Sequence, residues 1–373
     1  MAKKITVFRK LRILHLGLDP VAAPWSGDLI RALSGGKYQF IEHHAPAASD
    51  DIASRLQLYR PDFPALDKGA GLGRLNRMAR AMRGYGLILT HGESGFPAAM
   101  AHSLFAEALK LPPLIHYHHA LQGFSGGAIK RFRHRLGFAR TQAVVAPTST
   151  AANEIAANWG VGGRTLRIAL PVYGSTPKPP RADAIPGLVK RRDEAWIGVR
   201  AGDLLPDADP ILRRLRDLGD EWRLVAFGSK DETVRLGSLC AEMEVADRLL
   251  TSQRLAGPED RAGLFDMLLS PRPPAKGDDM PRMPFLAAPA GVSMIAAGSE
   301  IAPVLPREQA DYLFGNGSGQ SAAIAEAMVT LARDEVKRKG LSKAMADFAA
   351  KHRDAADHRA LIAELTGEDR IHP

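Results

Sequence analysis

Short apolar runs alternate with longer amphipathic segments through the first half of the chain. The run LRILHLG, which ends at Gly17, predicts a buried parallel strand, and SGDLIRALSGG predicts the helix that follows it. The same alternation continues from YQFIEH to STAANEIAANWG, which ends at Gly160. Strands that alternate with helices of about ten or more residues are typical of a doubly wound α/β domain.

A proline-rich stretch then interrupts this alternation. The segment PVYGSTPKPPRADAIPG at 171–187 contains five prolines, which predicts a linker. Alternation resumes with AWIGVRAG, and we expect strands at DRLLTS and VSMIAAG with a helix at 258–267 between them. We therefore expect an N-terminal domain at 1–172, a linker at 173–192, a second domain at 193–350 and a C-terminal helix at 351–373.

Composition narrows the class of protein. The chain has 373 residues, of which 45% are hydrophobic and 24% charged, and this is enough for two globular domains. Its net charge of +9 favours partners that carry phosphate: nucleic acid, anionic lipid or a nucleotide-linked substrate. A single cysteine, Cys240, excludes an internal disulfide framework. Arg9, Lys10 and Arg12 interrupt the N-terminal apolar run, so we expect no secretory signal and a cytoplasmic protein.

Three histidines cluster in the segment PLIHYHHALQGFSGG. On a strand, His116 and His118 point to one face, whereas His119 falls where the strand should end. Ligands of open α/β sheets bind at the carboxyl ends of strands, so His118 or His119 is a candidate functional residue. The alternative is a hydrogen-bonded, half-buried strand residue. A metal site is disfavoured because no further ligands follow at a suitable spacing.

Two other strand ends carry candidate residues. His91 follows the strand LILTH and precedes a glycine that would let a ligand approach the backbone; the alternative is a histidine bonded to loop carbonyls. Gly27 lies near the start of the first helix, where free N–H groups could bind an anion. The chain contains neither the G-x-G-x-x-G nor the G-K-[ST] phosphate loop, which disfavours a standard dinucleotide oxidoreductase or P-loop ATPase.

Basic residues supply two further candidates. Arg200 ends the strand IGVR, where a guanidinium can hold a diphosphate bidentately; the alternative is a solvated arginine. Lys130, Arg131, Arg133 and Arg135 form a basic helix face that could contact anionic lipid headgroups. The alternative is a solvated surface. Nucleic acid is the less favoured partner because it rests on net charge and this helix alone.

These landmarks, taken in order over roughly residues 12–350, resemble glycosyltransferase family 4. YGLILTHGESGFPAAMAHSLFAEALKLPPLIHYHHAL resembles the family's run of strand, histidine, long helix, strand and His-Gly. IGVRAG resembles its G-R element, and AGVSMIAAGSEIAPVL resembles the segment near the donor sugar. The resemblance implies the GT-B fold: two Rossmann-like doubly wound α/β domains that face a central cleft, with a helical C-terminus.

The resemblance also implies an activity and a site. It implies a retaining transferase that moves a hexose from a nucleotide sugar to a glycan or lipid-linked acceptor in surface polysaccharide synthesis, with no metal or other cofactor. His119, with His118 beside it, would be catalytic, and His91 would lie on the acceptor side. The residues implied for donor binding are Gly27, Arg200, Asp278, Ser299 and Glu300.

The sequence departs from the family at several positions. Leu205 stands where a lysine is expected about five residues after Arg200, and Ala120 replaces the glycine of His-Gly. The paired glutamates of the family fall on Asp278 and Leu286. These departures leave an alternative hypothesis, a catalytically inactive GT-B-like binding or scaffold protein. The basic helix could hold the protein peripherally at the inner face of a membrane.

Overall fold

Parallel sheets organise both halves of the chain. The computed structural model describes residues 10–19, 24–34, 40–66, 71–120, 126–168, 173, 179–253, 261–272, 282–315 and 319–367. The chain divides into two compact units. The first unit contains Met1–Val172 and the C-terminal segment Asp354–Pro373, and the second contains Tyr173–Ala275 and Pro281–Arg353.

In its described residues, the first unit has a six-stranded sheet in the order β2-β1-β3-β4-β5-β6, with every pair parallel. Its strands are β1 (Leu11–Leu16), β2 (Ile41–His44), β3 (Leu87–His91), β4 (Leu114–Tyr117), β5 (Ala143–Ala146) and β6 (Thr165–Arg167). Every residue of β3, β4 and β5 is buried, because helices cover both faces of a parallel sheet.

The helices of the first unit begin and end at clear sequence signals. They are α1 (Pro24–Ser34), α2 (Asp50–Leu56), α3 (Leu72–Ala81), α4 (Phe96–Leu109), α5 (Ala128–Gly137) and α6 (Ser149–Trp159). At the start of α6, Thr148 Oγ1 accepts a hydrogen bond from Ala151 N at 3.0 Å, and the helix stops at Gly160 in the left-handed conformation. The C-terminal helix Ala356–Thr366 belongs to this unit too.

The second unit repeats the architecture. Its described strands form a six-stranded parallel sheet in the order β12-β11-β10-β7-β8-β9. They are β7 (Ala195–Arg200), β8 (Trp222–Phe227), β9 (Leu249–Ser252), β10 (Met267–Ser270), β11 (Ser293–Ala297) and β12 (Leu313–Phe314). The helices are α7 (Ala201–Leu204), α8 (Ala208–Leu215), α9 (Lys230–Glu242), α10 (Arg282–Ala290), α11 (Gln320–Arg333) and α12 (Glu335–Lys351), and the C-terminal helix of the first unit is α13.

Each sheet has one strand at which the chain reverses its direction of travel. In the first sheet β1 lies between β2 and β3, and in the second β7 lies between β8 and β10. The connections on the two sides of such a strand leave to opposite faces of the sheet, which opens a crevice at the carboxyl ends. We call these carboxyl ends the first edge, after β1, β2 and β3, and the second edge, after β7, β8 and β10.

The structure corrects part of the predicted element order. The helix expected at 258–267 is wrong: its described residues contain a short 3₁₀ turn at Ala262–Leu264 and the start of β10. The strand β10 was not predicted, because it is short and buried throughout, so its apolar run has no two-residue alternation to mark it as a strand. Within the expected linker, Ile185 is buried and Lys190 Nζ donates a hydrogen bond of 2.6 Å to the Leu264 carbonyl of the second unit.

Candidate functional site

A glycine allows the loops at the first edge to approach closely. Gly17 follows β1 with φ of +78°, and a methyl group on it would lie 2.7 Å from Gly95 Cα and 2.8 Å from the His91 carbonyl oxygen. Ser94 Oγ donates hydrogen bonds to the carbonyls of Gly17 and His91, at 3.0 and 3.2 Å. Gly27, which was predicted to bind an anion at the start of the first helix, lies inside α1 and is buried.

A pocket opens at the first edge, where the chain reverses around β1. We call it the switch-point pocket; its volume is about 760 Å³, within the range of small-molecule sites. Segments after β1, β2 and β3 line it together with residues 63–66. The lining is mainly apolar, with principal contributions from Leu18, Pro46, Phe63, Pro64, Leu66 and Pro97.

Glu93 places a carboxylate in the lining of this pocket. Burial alone would raise its pKa, but hydrogen bonds and charge from His134 and Lys130 lower the pKa to about 2. Its Oε1 lies 3.1 Å from Lys130 Nζ and 3.4 Å from His134 Nε2, both on α5. Glu93 is therefore ionised at neutral pH, and it joins the pocket to the basic helix.

The histidines that follow β4 divide between the two sides of the sheet. The rings of His116 and His118 pack on Trp159 of α6, at 5.9 and 5.4 Å between centroids. The ring of His119 packs on Trp25 of α1 at 5.0 Å and near His91 at 5.5 Å. His119 is 3% exposed, and its Nε2 has no hydrogen-bond partner among the described residues. His119 and His91 thus share one side, and His118 lies on the other.

A row of buried histidines runs across β2, β1 and β3. His15 Nε2 is hydrogen-bonded to His43 Nδ1 at 2.8 Å, and His15 Nδ1 to His91 Nε2 at 3.1 Å. Burial lowers the pKa of His43 and of His91 to about 3, and burial with the neighbouring histidines lowers that of His15 well below its usual value. The row is therefore neutral at physiological pH.

Neutral imidazoles give this row a direction. Each has one N–H and one lone pair, so His15 must donate to one neighbour and accept from the other. One arrangement leaves an N–H on His91 Nδ1, and the reverse leaves one on His43 Nε2. Neither of these atoms has a partner among the described residues. The row therefore has, at each end, a buried ring nitrogen without a hydrogen-bond partner among the described residues.

The second edge carries charge instead. Arg200 ends β7 with its side chain about half exposed, 3.9 Å from Asp203 Oδ2. Arg272 follows β10, which is the neighbour of β7, and is exposed. Burial raises the pKa of Asp203, while the positive charges of Arg200 and Arg272 oppose that rise. The guanidinium groups of Arg200 and Arg272 and the carboxylates of Asp203 and Glu232 therefore influence one another at the point where the second sheet reverses.

The remaining predicted donor residues are placed as follows. Ser299 and Glu300 begin the 3₁₀ segment Ser299–Val304 directly after β11, and Asp278 lies outside the described residues. Leu205 is half-buried and packs against the hydrophobic core of the second unit. Leu286 lies in α10 and is half-buried.

Helix α5 exposes an apolar stripe among its basic residues. Ile129 is 79% exposed, Phe132 67% and Leu136 42%, and their spacing puts them on one face. Lys130, Arg131, Arg133 and Arg135 are also exposed on this helix. Exposed large apolar side chains beside several basic residues are typical of a surface that contacts a membrane interface.

Two searches of the described residues gave negative results. The described residues include no group of three or more His, Cys, Asp or Glu side chains that could hold a metal ion. No helix in the described ranges combines the length and the apolar composition that crossing a bilayer requires.

Solved structures share this fold. HepE from Anabaena, crystallised with UDP and glucose, matches with a TM-score of 0.67 and 14% identity over 95% of this chain and 98% of HepE. A glycosyltransferase from Rickettsia africae matches with 0.67 and 10% identity over 97% and 100%. A UDP-N-acetylglucosamine 2-epimerase matches with 0.61 and 14% identity over 98% and 99%. No protein-family model and no curated protein sequence matches the chain. The predicted GT-B fold is confirmed.

Sequence reasoning missed one feature at each edge. Arg272 was overlooked because no strand was predicted at Met267–Ser270, which hid the fact that SPR ends and follows a strand. The wall at residues 63–66 was overlooked because DFPAL has no periodic pattern. The available signal for Arg272 was its place directly after a short apolar run, as for Arg200.

Proposed function

We propose that this protein is a retaining glycosyltransferase that moves a sugar from a nucleotide sugar to a glycan or lipid-linked acceptor. The observation that carries the proposal is that each unit has its own ligand-sized or charged feature at the carboxyl ends of its strands. A transferase binds two substrates, a donor and an acceptor, whereas an epimerase such as the matched UDP-N-acetylglucosamine 2-epimerase acts on one. The retaining outcome rests on the sequence resemblance.

The second edge suits the donor. A nucleoside diphosphate carries negative charge, and guanidinium groups bind phosphate oxygens in pairs. Arg200 and Arg272 supply two such groups near Asp203. Together they can balance the negative charge of the diphosphate without a metal, which agrees with the cofactor-free donor binding that we propose. HepE was crystallised with UDP, so UDP-sugars are the first donors to test.

Binding tests the donor assignment directly. We expect one of UDP-, GDP-, ADP- or dTDP-glucose to raise the unfolding temperature of the full chain. A ligand at about 100 times its Kd stabilises the native state by about 2.7 kcal/mol. Arg200→Ala and Arg272→Ala should each weaken binding at least about tenfold, because a charge-assisted hydrogen bond is worth about 1.5–3 kcal/mol.

Arg213→Ala is the matched control, because Arg213 lies in the same unit and pairs with Asp209 on an exposed helix face. It should leave nucleotide-sugar binding unchanged. If no nucleotide sugar binds, or if Arg213→Ala weakens binding as much as Arg200→Ala, the donor assignment is wrong. Turnover of the bound sugar onto an added acceptor then separates a transferase from an enzyme that acts on the nucleotide sugar alone.

His119 is proposed to contact the reacting sugar. Burial, together with the neighbouring His91 and His118, lowers its pKa well below the usual value, so its imidazole is neutral at pH 7. A neutral ring with an open Nε2 can hydrogen-bond a sugar hydroxyl. His119→Ala should reduce turnover more than it reduces nucleotide-sugar affinity, which kinetics at saturating donor would measure.

We also propose that α5 holds the protein at an anionic membrane surface. Its stripe of Ile129, Phe132 and Leu136 would enter the interface while its basic residues contact headgroups. Co-sedimentation with vesicles of phosphatidylglycerol and phosphatidylcholine should fall in Phe132→Ser and be weak for phosphatidylcholine alone. Val336→Ser is the control, since Val336 is 84% exposed on α12. Equal loss in both variants would refute the proposal.

One observation favours a second candidate function, a catalytically inactive binding protein. Leu205 and Leu286 replace polar family residues, and Leu205 packs into the core of the second unit. A donor site without these groups would bind nucleotide sugar weakly. Absence of binding to every nucleotide sugar tested, with the fold intact, would favour this candidate.

A further inference from the structure

We infer that the switch-point pocket binds the apolar part of the acceptor, so that the acceptor is an amphipathic, lipid-like glycoside. The inference rests on the proposed transferase function and names the chemical class of its second substrate. The pocket belongs wholly to the first unit and is lined by described residues. It lies at the reversal around β1, where open α/β sheets bind their ligands.

The chemistry of the lining selects against an anion. Asp19 and Glu93 are the ionisable residues in the lining, and both are acidic. Glu93 is ionised at neutral pH because its pKa is lowered to about 2. Among the described residues that line it there is no lysine, arginine or histidine. The described lining therefore offers no cationic side chain to hold a phosphate group, so the nucleotide end of the donor is poorly matched to this pocket.

The same lining favours an alkyl chain or another apolar group. Phe63, Leu66 and Leu18, with the flat faces of three prolines, offer carbon surface from several sides. Burying an apolar chain against such a surface is favourable in proportion to the area removed from water. The carboxylates and Ser94 can accept hydrogen bonds from the hydroxyl groups of an attached sugar. The pocket is thus suited to an amphipathic glycoside.

The position of the pocket points to a membrane lipid. Glu93 lies in the lining and also pairs with Lys130 and His134 of α5. The outer face of the same helix exposes Ile129 and Phe132. An alkyl chain that leaves an anionic bilayer beside α5 would therefore lie close to the pocket, because Glu93 of the lining is paired with Lys130 of that helix.

Alkyl glucosides test the inference with the full chain. We would compare n-decyl β-D-glucopyranoside, kept below its micellar concentration, with methyl β-D-glucopyranoside by titration calorimetry. The decyl glucoside should bind saturably and at least about tenfold more tightly, because burial of a few methylene groups suffices for that ratio. Equal affinities for the two glucosides would overturn the inference.

Pocket-filling variants locate the bound chain. Ala65→Trp and Ala47→Trp add bulk at exposed lining positions and should each weaken decyl glucoside binding at least about fivefold. Ala157→Trp adds the same bulk at an exposed position of α6 and should not. Thermal unfolding of each variant verifies its fold, and two pocket variants guard against one that fails to fold.

The outcomes separate this inference from the proposed function. If Phe132→Ser weakens decyl glucoside binding and the pocket variants do not, the chain binds on α5 and the inference is wrong. If a nucleotide sugar binds but no alkyl glucoside does, the inference fails and the donor assignment stands. If decyl glucoside binds in the pocket and no nucleotide sugar binds, the pocket assignment stands and the transferase proposal fails.

Discussion

The two edges share one topology and differ in nearly every chemical respect. At the first edge the polar side chains around the strand ends are mostly buried histidines, and the adjoining pocket is apolar. At the second edge Arg200 and Arg272 are exposed beside a carboxylate. The same reversal of chain direction therefore creates a crevice that suits an uncharged ligand in one unit and an anionic ligand in the other.

The two units also differ in the number of their histidines, and this difference should affect their stability in acid. Eleven of the twelve histidines belong by sequence position to the first unit, and only His352 to the second. Burial keeps those of the first edge neutral, which costs stability whenever the unfolded chain can protonate them. The comparison therefore predicts that acid should unfold the first unit before the second.

The largest expected effect is selective acid unfolding of the first unit. Burial lowers the pKa of His43, His91 and His358 to about 3, below the unfolded value near 6.5. The unfolded state binds more protons than the native state below about pH 6.5, so stability is lost as pH falls from there towards 3. Each such histidine contributes a slope of up to about 1.4 kcal/mol per pH unit. Hydrogen exchange measured by mass spectrometry at pH 7, 6 and 5 should show protection lost first in β1 to β4.

His43→Gln should make the loss of stability with acid less steep, because it removes one of these groups. The control His352→Gln, in the second unit, should leave the acid midpoint of the first unit unchanged. Simultaneous loss of protection in both units would contradict the prediction.

These histidines show which features of the site can be predicted from the sequence and which cannot. Their position at strand ends was predictable, because apolar runs and turn residues mark where strands stop. The side of the sheet on which His118 and His119 lie was not, because it depends on whether Trp159 or Trp25 packs against them. Those tryptophans are distant in sequence, and local pattern carries no information about such pairings.

The glycines show the same limit. The sequence pointed to Gly27 near the first helix, whereas the left-handed turn after β1 is at Gly17. A positive φ and the approach of Gly95 are properties of the folded backbone. The alternation of strands and helices, by contrast, is a local property, and it was enough to predict two doubly wound units. The GT-B fold was implied by the resemblance to glycosyltransferase family 4.

The next expected effect concerns the backbone that shapes the first edge. Gly17→Ala puts a methyl group 2.7 Å from Gly95 Cα at a φ of +78°, so neither rotation nor a side-chain shift can relieve the contact. We expect a loss of about 3 kcal/mol or more in the free energy of unfolding, measured by urea titration. Decyl glucoside binding should be lost with it, while the donor arginines of the second edge remain in place.

Gly73→Ala is the matched control. Gly73 lies near the start of α3, and a methyl group there meets no atom within 4 Å. Because alanine is a better helix former than glycine, this variant should be as stable as the wild type or gain up to about 1 kcal/mol. If Gly17→Ala were as stable as Gly73→Ala, the close approach of the loops at the first edge would be wrong.

The smallest effect tests whether the second edge still needs its missing lysine. Leu205 is half-buried and packs against the hydrophobic core of its unit. Leu205→Lys should therefore cost about 1 kcal/mol of stability through lost packing and change nucleotide-sugar affinity by less than about threefold. Titration calorimetry of the variant and of Arg272→Ala with the same nucleotide sugar makes the comparison. Tighter binding in Leu205→Lys by tenfold or more would mean that a side chain at position 205 does reach the diphosphate.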